Sequence, residues 1–564
     1  MRTEILRMDQ VTYETQGVTQ LDNFSLSVWE GEILGLVPVN NWGVEALLSL
    51  LTQNLPLRYG YVHYNERLVN DWHSHRRGGN RVSVIRNESC LAKDLTVADN
   101  IFVLRPGFKK WHIRPRILRE QLTPFIQEVG VPIRADAYID SLTTFQRFVV
   151  ELLKAVVAGS RLIVLENADA FISESELAKL QEVLLRYAGK GISFLYLSAH
   201  FEETLRFCHR TALMSNGRIL KCFDLKSGSA DILSLPCVGD YDRWVRAHLE
   251  EPVREQADRP MLELRALCCG NLQDVDLRVN AGECIVVQDT DGCALSDFLA
   301  VLARGQPESG QLLVGGRPLR SGLDRSIAIV QERPTETMLF YSMSYMDNLC
   351  FNMDHRFPKI WLSKGIRRSI REEYAPLLGA EVFDRRINEL TNRQKYDLVY
   401  TRLLLQRPKV VFCIHPFKKA EVSIRSHLWE LIERLLERDI AVVILAVNLA
   451  DSLALADRLV RLRKGAVHEV YRREDFTRLP ANTPWLYLYR EKYSNMERKA
   501  DMYETFRDQY GPQGAGGHVC PIPLCPAALL PFHSGAVEGT GTRVRRGPGL
   551  YAGLGHHRLR QGGL

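Results

Sequence analysis

The stretch that decides the fold is Gly31 to Leu51, GEILGLVPVNNWGVEALLSLL. Its apolar run, Ile33 to Val37, reads as a buried strand, Pro38 to Gly43 as a short polar turn, and Val44 through Leu51 as an apolar-periodic helix. Strand, turn and helix in this order form the setting of a phosphate-binding loop, where backbone N–H groups and a helix N-terminus cradle phosphates. Against the pattern G-x-x-x-x-G-K-[ST], the slots read Pro38, Val39, Asn40, Asn41, Trp42, Gly43, Val44 and Glu45. Only the second glycine, Gly43, is present. The slot for the lysine that reaches phosphates holds Val44, and the slot for the Mg²⁺-binding hydroxyl holds Glu45. The frame is kept and its chemistry is removed.

The rest of the first half continues the same alternation. Residues 4 to 28 alternate around the turn Thr15-Gln16-Gly17, Leu57 to Val69 reads as a hairpin with its tip at Asn65-Glu66, and Arg81 to Arg86 reads as a strand. Leu142 to Val157 reads as a helix, Arg161 to Asn167 as a buried strand, Glu174 to Tyr187 as a helix, and Ser193 to His200 as a strand. Strands alternating with helices predict a mostly parallel α/β sheet covered on both faces.

At 564 residues the chain exceeds one domain, and from Met261 the order of pieces returns. Leu277 to Leu302 repeats the loop region, Ile327 to Asn352 the stretch around Asn87, and Asn388 to Pro416 the helix and strand that follow. The polar, proline-bounded segment 250–260 reads as a linker.

Composition narrows the class. Hydrophobic content of 46% and charged content of 25% are those of a globular protein, and a net charge of +6 is too small for this length to indicate a nucleic-acid partner. Apolar runs such as Ile440 to Val447 are strand-length, so no transmembrane segment is expected, and no signal-peptide pattern is visible at the start. The twelve cysteines lack disulfide or zinc spacing and are expected as reduced thiols. From Gly511 the sequence holds a third of the chain's glycines and a single carboxylate, Glu538, and reads as disordered.

Taken together, the pieces resemble the ATP-binding cassette of ABC transporters. LDNFSLSVWEGEILGLV looks like the cassette opening, VIRNESCLAKDLTVADNIF the Q-loop region, LTTFQRFVVELLKAV the signature and its helix, LIVLENADAF the Walker B strand and D-loop, and SAHFEETLRFCHRTALMSNGRI the switch-histidine region. Two fused cassettes with a Q-E-R-x-x-E-T-M-L-F segment in the second most resemble the ATP-binding subunits of bacterial ribose- and galactose-type importers, over residues 1 to 495. The resemblance implies two tandem cassettes of the P-loop NTPase class, each with a mostly parallel core sheet, an antiparallel β-subdomain and a helical subdomain. It places them at residues 1–249 and 261–495, followed by an extension and tail at 496–564. It also implies ATP and Mg²⁺ as cofactors, a permease transmembrane subunit as partner, a sugar-binding protein at one remove, and a peripheral place on the cytoplasmic face of the cell membrane.

Carried onto this sequence residue by residue, the family's machinery is depleted. Walker B reads Glu166-Asn167 in the first half and Ile414-His415 in the second; Glu166 can face a cation, but Asn167 cannot take a proton. His200 matches the switch histidine, against a plainer reading as a hydrogen-bonded histidine at a strand end, and Asn448 stands near the second histidine slot. The Q-loop glutamine slot holds Asn87. The second loop reads Asp289 to Ser296, with Gly292 inside it, Leu295 in the lysine slot, Ser296 keeping the hydroxyl, and Asp289 and Asp291 set to repel phosphate. The signatures read Leu142-Thr143-Thr144-Phe145-Gln146 and Leu390-Thr391-Asn392-Arg393-Gln394; Thr143, Gln146, Thr391 and Gln394 are signature positions, and the paired glycines between them that would let the backbone approach a γ-phosphate are gone in both. Three readings stay open: a docking or regulatory pseudo-ATPase of a sugar importer; a working ATPase in which Lys154 or Arg147 replaces the missing lysines; and a soluble interaction protein of cassette descent.

Overall fold

The computed structural model describes residues 3–479 except 74–78, 87–88, 103–114, 169–171, 201–202, 205–206, 225–257, 293, 320–323, 352, 354–362, 419, 448 and 450. Asn87, Asn448, most of the linker and the whole tail therefore lie outside the described residues.

Each half holds two sheets. In the first, β1 (Glu4–Thr15) and β2 (Val18–Trp29) join β4 (Tyr59–Tyr64) and β5 (Arg67–Asp71) in an antiparallel sheet of order β2-β1-β4-β5. The core sheet runs β10-β9-β3-β8-β7-β6, from β3 (Ile33–Pro38), β6 (Val82–Ile85), β7 (Leu162–Glu166), β8 (Ser193–Leu197), β9 (Arg210–Ser215) and β10 (Arg218–Asp224). All its pairings are parallel except β9 with β10. Central strands of such a sheet are buried on both faces, and all six residues of β3 are buried. Helices α1 (Val44–Thr52), α2 (Val97–Phe102), α3 (Pro115–Val129), α4 (Thr144–Val157) and α5 (Glu174–Gly189) complete the half.

The second half repeats this plan strand for strand. An antiparallel sheet of order β12-β11-β14-β15 uses β11 (Pro260–Cys269), β12 (Leu272–Asn280), β14 (Ser309–Val314) and β15 (Arg317–Pro318). The core sheet, β16-β17-β18-β13-β19-β20, uses β13 (Cys284–Asp289), β16 (Ile327–Val330), β17 (Val410–Ile414), β18 (Ala441–Ala446), β19 (Arg458–Arg463) and β20 (Ala466–Arg472). The expected α/β duplication is thus present. One detail departs from the sequence reading: β8 stops at Leu197, so Ser198 to His200 leave the sheet instead of extending it.

The two halves share apolar packing. The largest hydrophobic cluster is built mostly from the second half, yet it includes Val37, Leu213 and Phe223 of the first. The eight described cysteines are free thiols, and no described helix is long and apolar enough to cross a membrane.

Candidate nucleotide sites

Both loops sit at the C-terminal ends of parallel strands, where open α/β sheets bind ligands. In the first, β3 delivers Pro38 and α1 begins after Gly43. Gly43 has φ 82°, and a Cβ there would lie 2.4 Å from the Gln20 carbonyl oxygen, so packing alone explains the surviving glycine.

Amide side chains hold this turn. The Asn40 Oδ1 accepts from the backbone N–H groups of Trp42 and Asn216, both at 3.2 Å, while its Nδ2 donates to Asn216 Oδ1 at 2.9 Å. The Trp42 indole is half exposed and donates to the Thr19 carbonyl at 3.1 Å. A cavity of about 440 Å³ opens here, lined by Gln20, Asn40, Asn41, Trp42, Glu45 and Glu421 among others. None of the described lining residues is a lysine or arginine. Glu421 comes from the second half: its carboxyl accepts from the Asn41 backbone N–H, which partly offsets the upward push of burial on its pKa.

Val44 is buried, as the lysine slot now demands of an aliphatic side chain. Glu45 and Glu166 are joined through Arg86, the residue that follows β6. Its Nη2 lies 2.9 Å from Glu45 Oε2, and its Nε lies 3.2 Å from Glu166 Oε2. A guanidinium therefore bridges the residues that stand in the hydroxyl and Walker B slots. The sequence reading looked to Lys154 and Arg147 for a cation, but Arg147 donates to the carbonyls of Ile139 (3.1 Å) and Asp140 (3.2 Å) in its own subdomain. In the sequence Arg86 is legible only as the end of the strand Arg81 to Arg86. Its reach depends on β6 lying next to β7 in the sheet.

After each Walker B strand the backbone turns left-handed, with φ 48° at Asn167 and 44° at His415. Asn and His tolerate that region better than most residues. The Asn167 N–H donates to the Leu197 carbonyl at 2.8 Å and its Oδ1 accepts from Ala199 at 3.2 Å; the His415 N–H donates to the Leu445 carbonyl at 3.0 Å. Burial first, and Lys418 next, lower the His415 imidazole pKa to about 4, so it stays neutral near pH 7.

His200 is buried, and its Nε2 lies 3.3 Å from Oδ2 of Asp451 in the second half. The fully buried Arg425 lies on the same carboxylate at 3.4 Å, and it donates to the Ala420 carbonyl at 3.2 Å and to the Ala199 carbonyl of the first half. The Trp429 indole donates to the Asp451 carbonyl at 3.0 Å. The plainer reading of His200 as a strand-end residue misses this: it is a contact between halves.

The second loop is closed from within. Asp289 is fully buried; Oδ1 accepts from the Gly292 N–H at 3.0 Å, and Oδ2 from those of Ala294 at 2.7 Å and Leu295 at 2.9 Å. The Asp291 Oδ2 accepts from the Lys464 N–H at 2.7 Å. Leu295 is buried and Ser296 is exposed.

The signature residues serve their own helices. Thr143 caps α4 with Gln146 in a reciprocal capping box, and Thr391 and Gln394 do the same for the helix Asn392–Gln406. The Gln146 amide also donates to the Pro132 carbonyl at 3.0 Å. The same two helices anchor the Q-loop stretches: Glu151 accepts from Ser89 and Cys90, both at 2.7 Å, and Arg402 donates to the Met338 carbonyl at 2.9 Å.

A Mg²⁺-nucleotide needs lysine, hydroxyl, carboxylates and open backbone amides. Here the lysine slots are aliphatic, the first hydroxyl slot is an ion-paired glutamate, and the second loop's amides are engaged by Asp289. The residues present do not fit that group.

Comparison with known proteins shows what this chain is similar to. The family described as ABC transporter matches residues 21–170. A ribose import ATP-binding protein of Rubrobacter xylanophilus is 25% identical over 486 residues, covering 84% of this chain and 96% of that protein. One from Burkholderia cenocepacia is 24% identical over 481 residues, covering 82% and 92%. A xylose import ATP-binding protein of Moorella thermoacetica is 23% identical over 499 residues, covering 84% and 97%. Among solved structures, an ATP-binding cassette of an ABC transporter in its ADP conformation covers 42% of this chain and 97% of its own, at 20% identity and a TM-score of 0.37. The first half thus matches the ABC transporter family model, the second half repeats its plan, and the chain is similar over four fifths of its length to ATP-binding proteins of sugar import.

Proposed function

We propose that this chain is the cassette subunit of a sugar-type importer in which ATP hydrolysis has been lost and docking retained. The observation that carries this is the state of the two loops, each lacking its lysine and each holding a carboxylate of the chain against its backbone amides, Glu421 in the first and Asp289 in the second. Phosphoryl transfer depends on positioned positive charge, and removal of a general base alone typically costs ~10²–10⁴ in rate. With Asn167 and His415 in the glutamate slots, neither site keeps that base. His200 and Glu166, the two family-type residues that remain, are held by Asp451 and Arg86.

The partner is a membrane permease, with a sugar-binding protein at one remove, and the place of action is the cytoplasmic face of the membrane. The cassettes are assigned to residues 1–249 and 261–495, joined by 250–260. Support for docking comes from the second Q-loop stretch, where Phe340, Tyr341 and Met343 are exposed within four residues and the Phe340 ring lies 4.4 Å from that of Phe351. Apolar side chains gathered in this way mark contact surfaces. Co-expression with the membrane subunit encoded beside it, followed by detergent extraction and pull-down, tests the role. Co-purification is expected; a chain that stays unbound while an intact importer cassette is captured by its own permease refutes docking.

A further inference from the structure

Two charged side chains of this protein occupy the places where a ligand's charges would be held. The carboxylate of Asp289 sits inside the second loop on three backbone N–H groups at 2.7 to 3.0 Å, with no exposure to solvent. The guanidinium of Arg86 sits between Glu45 and Glu166 in the first.

We propose that the tandem cassettes are self-liganded, with Asp289 as the resident anion of the second loop and Arg86 as the resident cation of the first site. The inference rests on the reading that hydrolysis has been lost, and adds what has taken the ligand's place. The N–H groups of Gly292, Ala294 and Leu295, at the turn into the helix Leu295–Arg304, converge on one anion position, which would be costly to bury empty. Asp289 satisfies three of them with charge-assisted bonds. A phosphate entering would have to expel a carboxylate that has no other described partner group within the loop and would remain in a desolvated place.

The first site is the electrostatic converse. Glu45 and Glu166 bring two negative charges together from α1 and β7, an arrangement that would draw a divalent cation. Arg86 pairs with both while tethered to the same sheet, so its effective concentration is that of an intramolecular ligand. Free Mg²⁺ would have to displace it and shed water as well. Each site thus holds a charged partner from the chain itself with no nucleotide and no metal.

The experiment uses the full chain and probes that need no turnover. Unfolding midpoints are measured with and without inorganic pyrophosphate, in metal-free buffer, for wild type, D289A and D289N. Wild type is expected to show no shift. Vacating the concavity is expected to let pyrophosphate bind, raising the midpoint of D289A by about 2–4 °C at several times Kd. D289N, which keeps side-chain shape without the charge, is expected to shift in the same direction and serves if D289A does not fold. In parallel, Mn²⁺ alone is titrated against wild type and R86Q and followed by electron paramagnetic resonance. Only R86Q is expected to bind the ion.

A wild-type shift as large as that of the variants overturns the proposal, as does the absence of any shift in folded variants or equal Mn²⁺ binding by wild type and R86Q. Steady ATP turnover by wild type would refute the loss of hydrolysis itself. Silent variants beside an inactive wild type refute only the self-liganded sites.

Discussion

His200 in the first cassette and Asp451 in the second are both buried and lie 3.3 Å apart, with Arg425 on the same carboxylate. Breaking a buried charge pair by removing one partner typically costs about 3–5 kcal/mol, and without Arg425 the Asp451 carboxylate would keep only His200. R425A is therefore expected to lose about that much stability in urea unfolding. Arg425 also donates to Ala199 across the boundary, so the loss should appear in the first cassette too. Independent unfolding of an unaffected first cassette would contradict this.

The imidazole of His415 gives a pH signature. Its folded pKa is lowered to about 4 while an unfolded histidine titrates near 6.5, so the unfolded chain binds the extra proton. Stability from this group is complete above about pH 6.5 and is lost as pH falls toward 4. The full effect is about 3 kcal/mol. H415N suits the left-handed backbone, as Asn167 does at the matching place, and should flatten the difference in stability between pH 6.5 and 4. A variant with the wild-type slope would refute the assignment.

The signature threonines act as helix caps. T143A and T391A should each cost about 1 kcal/mol, and the double variant about their sum, since the two helices are separate. Denaturant midpoints measure this. A loss much below 0.5 kcal/mol would mean the capping boxes are not formed.

Much of this was legible in the sequence. The strand-turn-helix at Gly31 to Leu51, the duplication from Met261 and the emptied motif slots follow from local pattern, because periodicity and spacing are local properties. What fills the sites was not. Arg86 meets Glu166 only because β6 and β7 pair, and His200 meets Asp451 across 251 residues. Asp289 was readable as a charge hostile to phosphate, yet its carboxylate three residues before Gly292 is also placed to fold back on the loop's own amides. That second possibility was the signal available and missed.

The exposed apolar residues of the second Q-loop stretch should matter for partner contact more than for folding. F340S combined with M343S is expected to change stability by no more than about 1 kcal/mol, as surface changes usually do. The same pair should abolish co-purification with the permease. Full retention of binding would move the docking surface elsewhere.

The most direct measurement is equilibrium ATP binding with Mg²⁺-dependent phosphate release by the purified full chain, beside an intact sugar-importer cassette subunit. The account predicts no saturable binding at millimolar ATP and no release above the buffer rate. Turnover near that of the intact subunit would contradict it, because it would require a lysine, a base and an open loop that Val44, Asn167 and Asp289 do not supply.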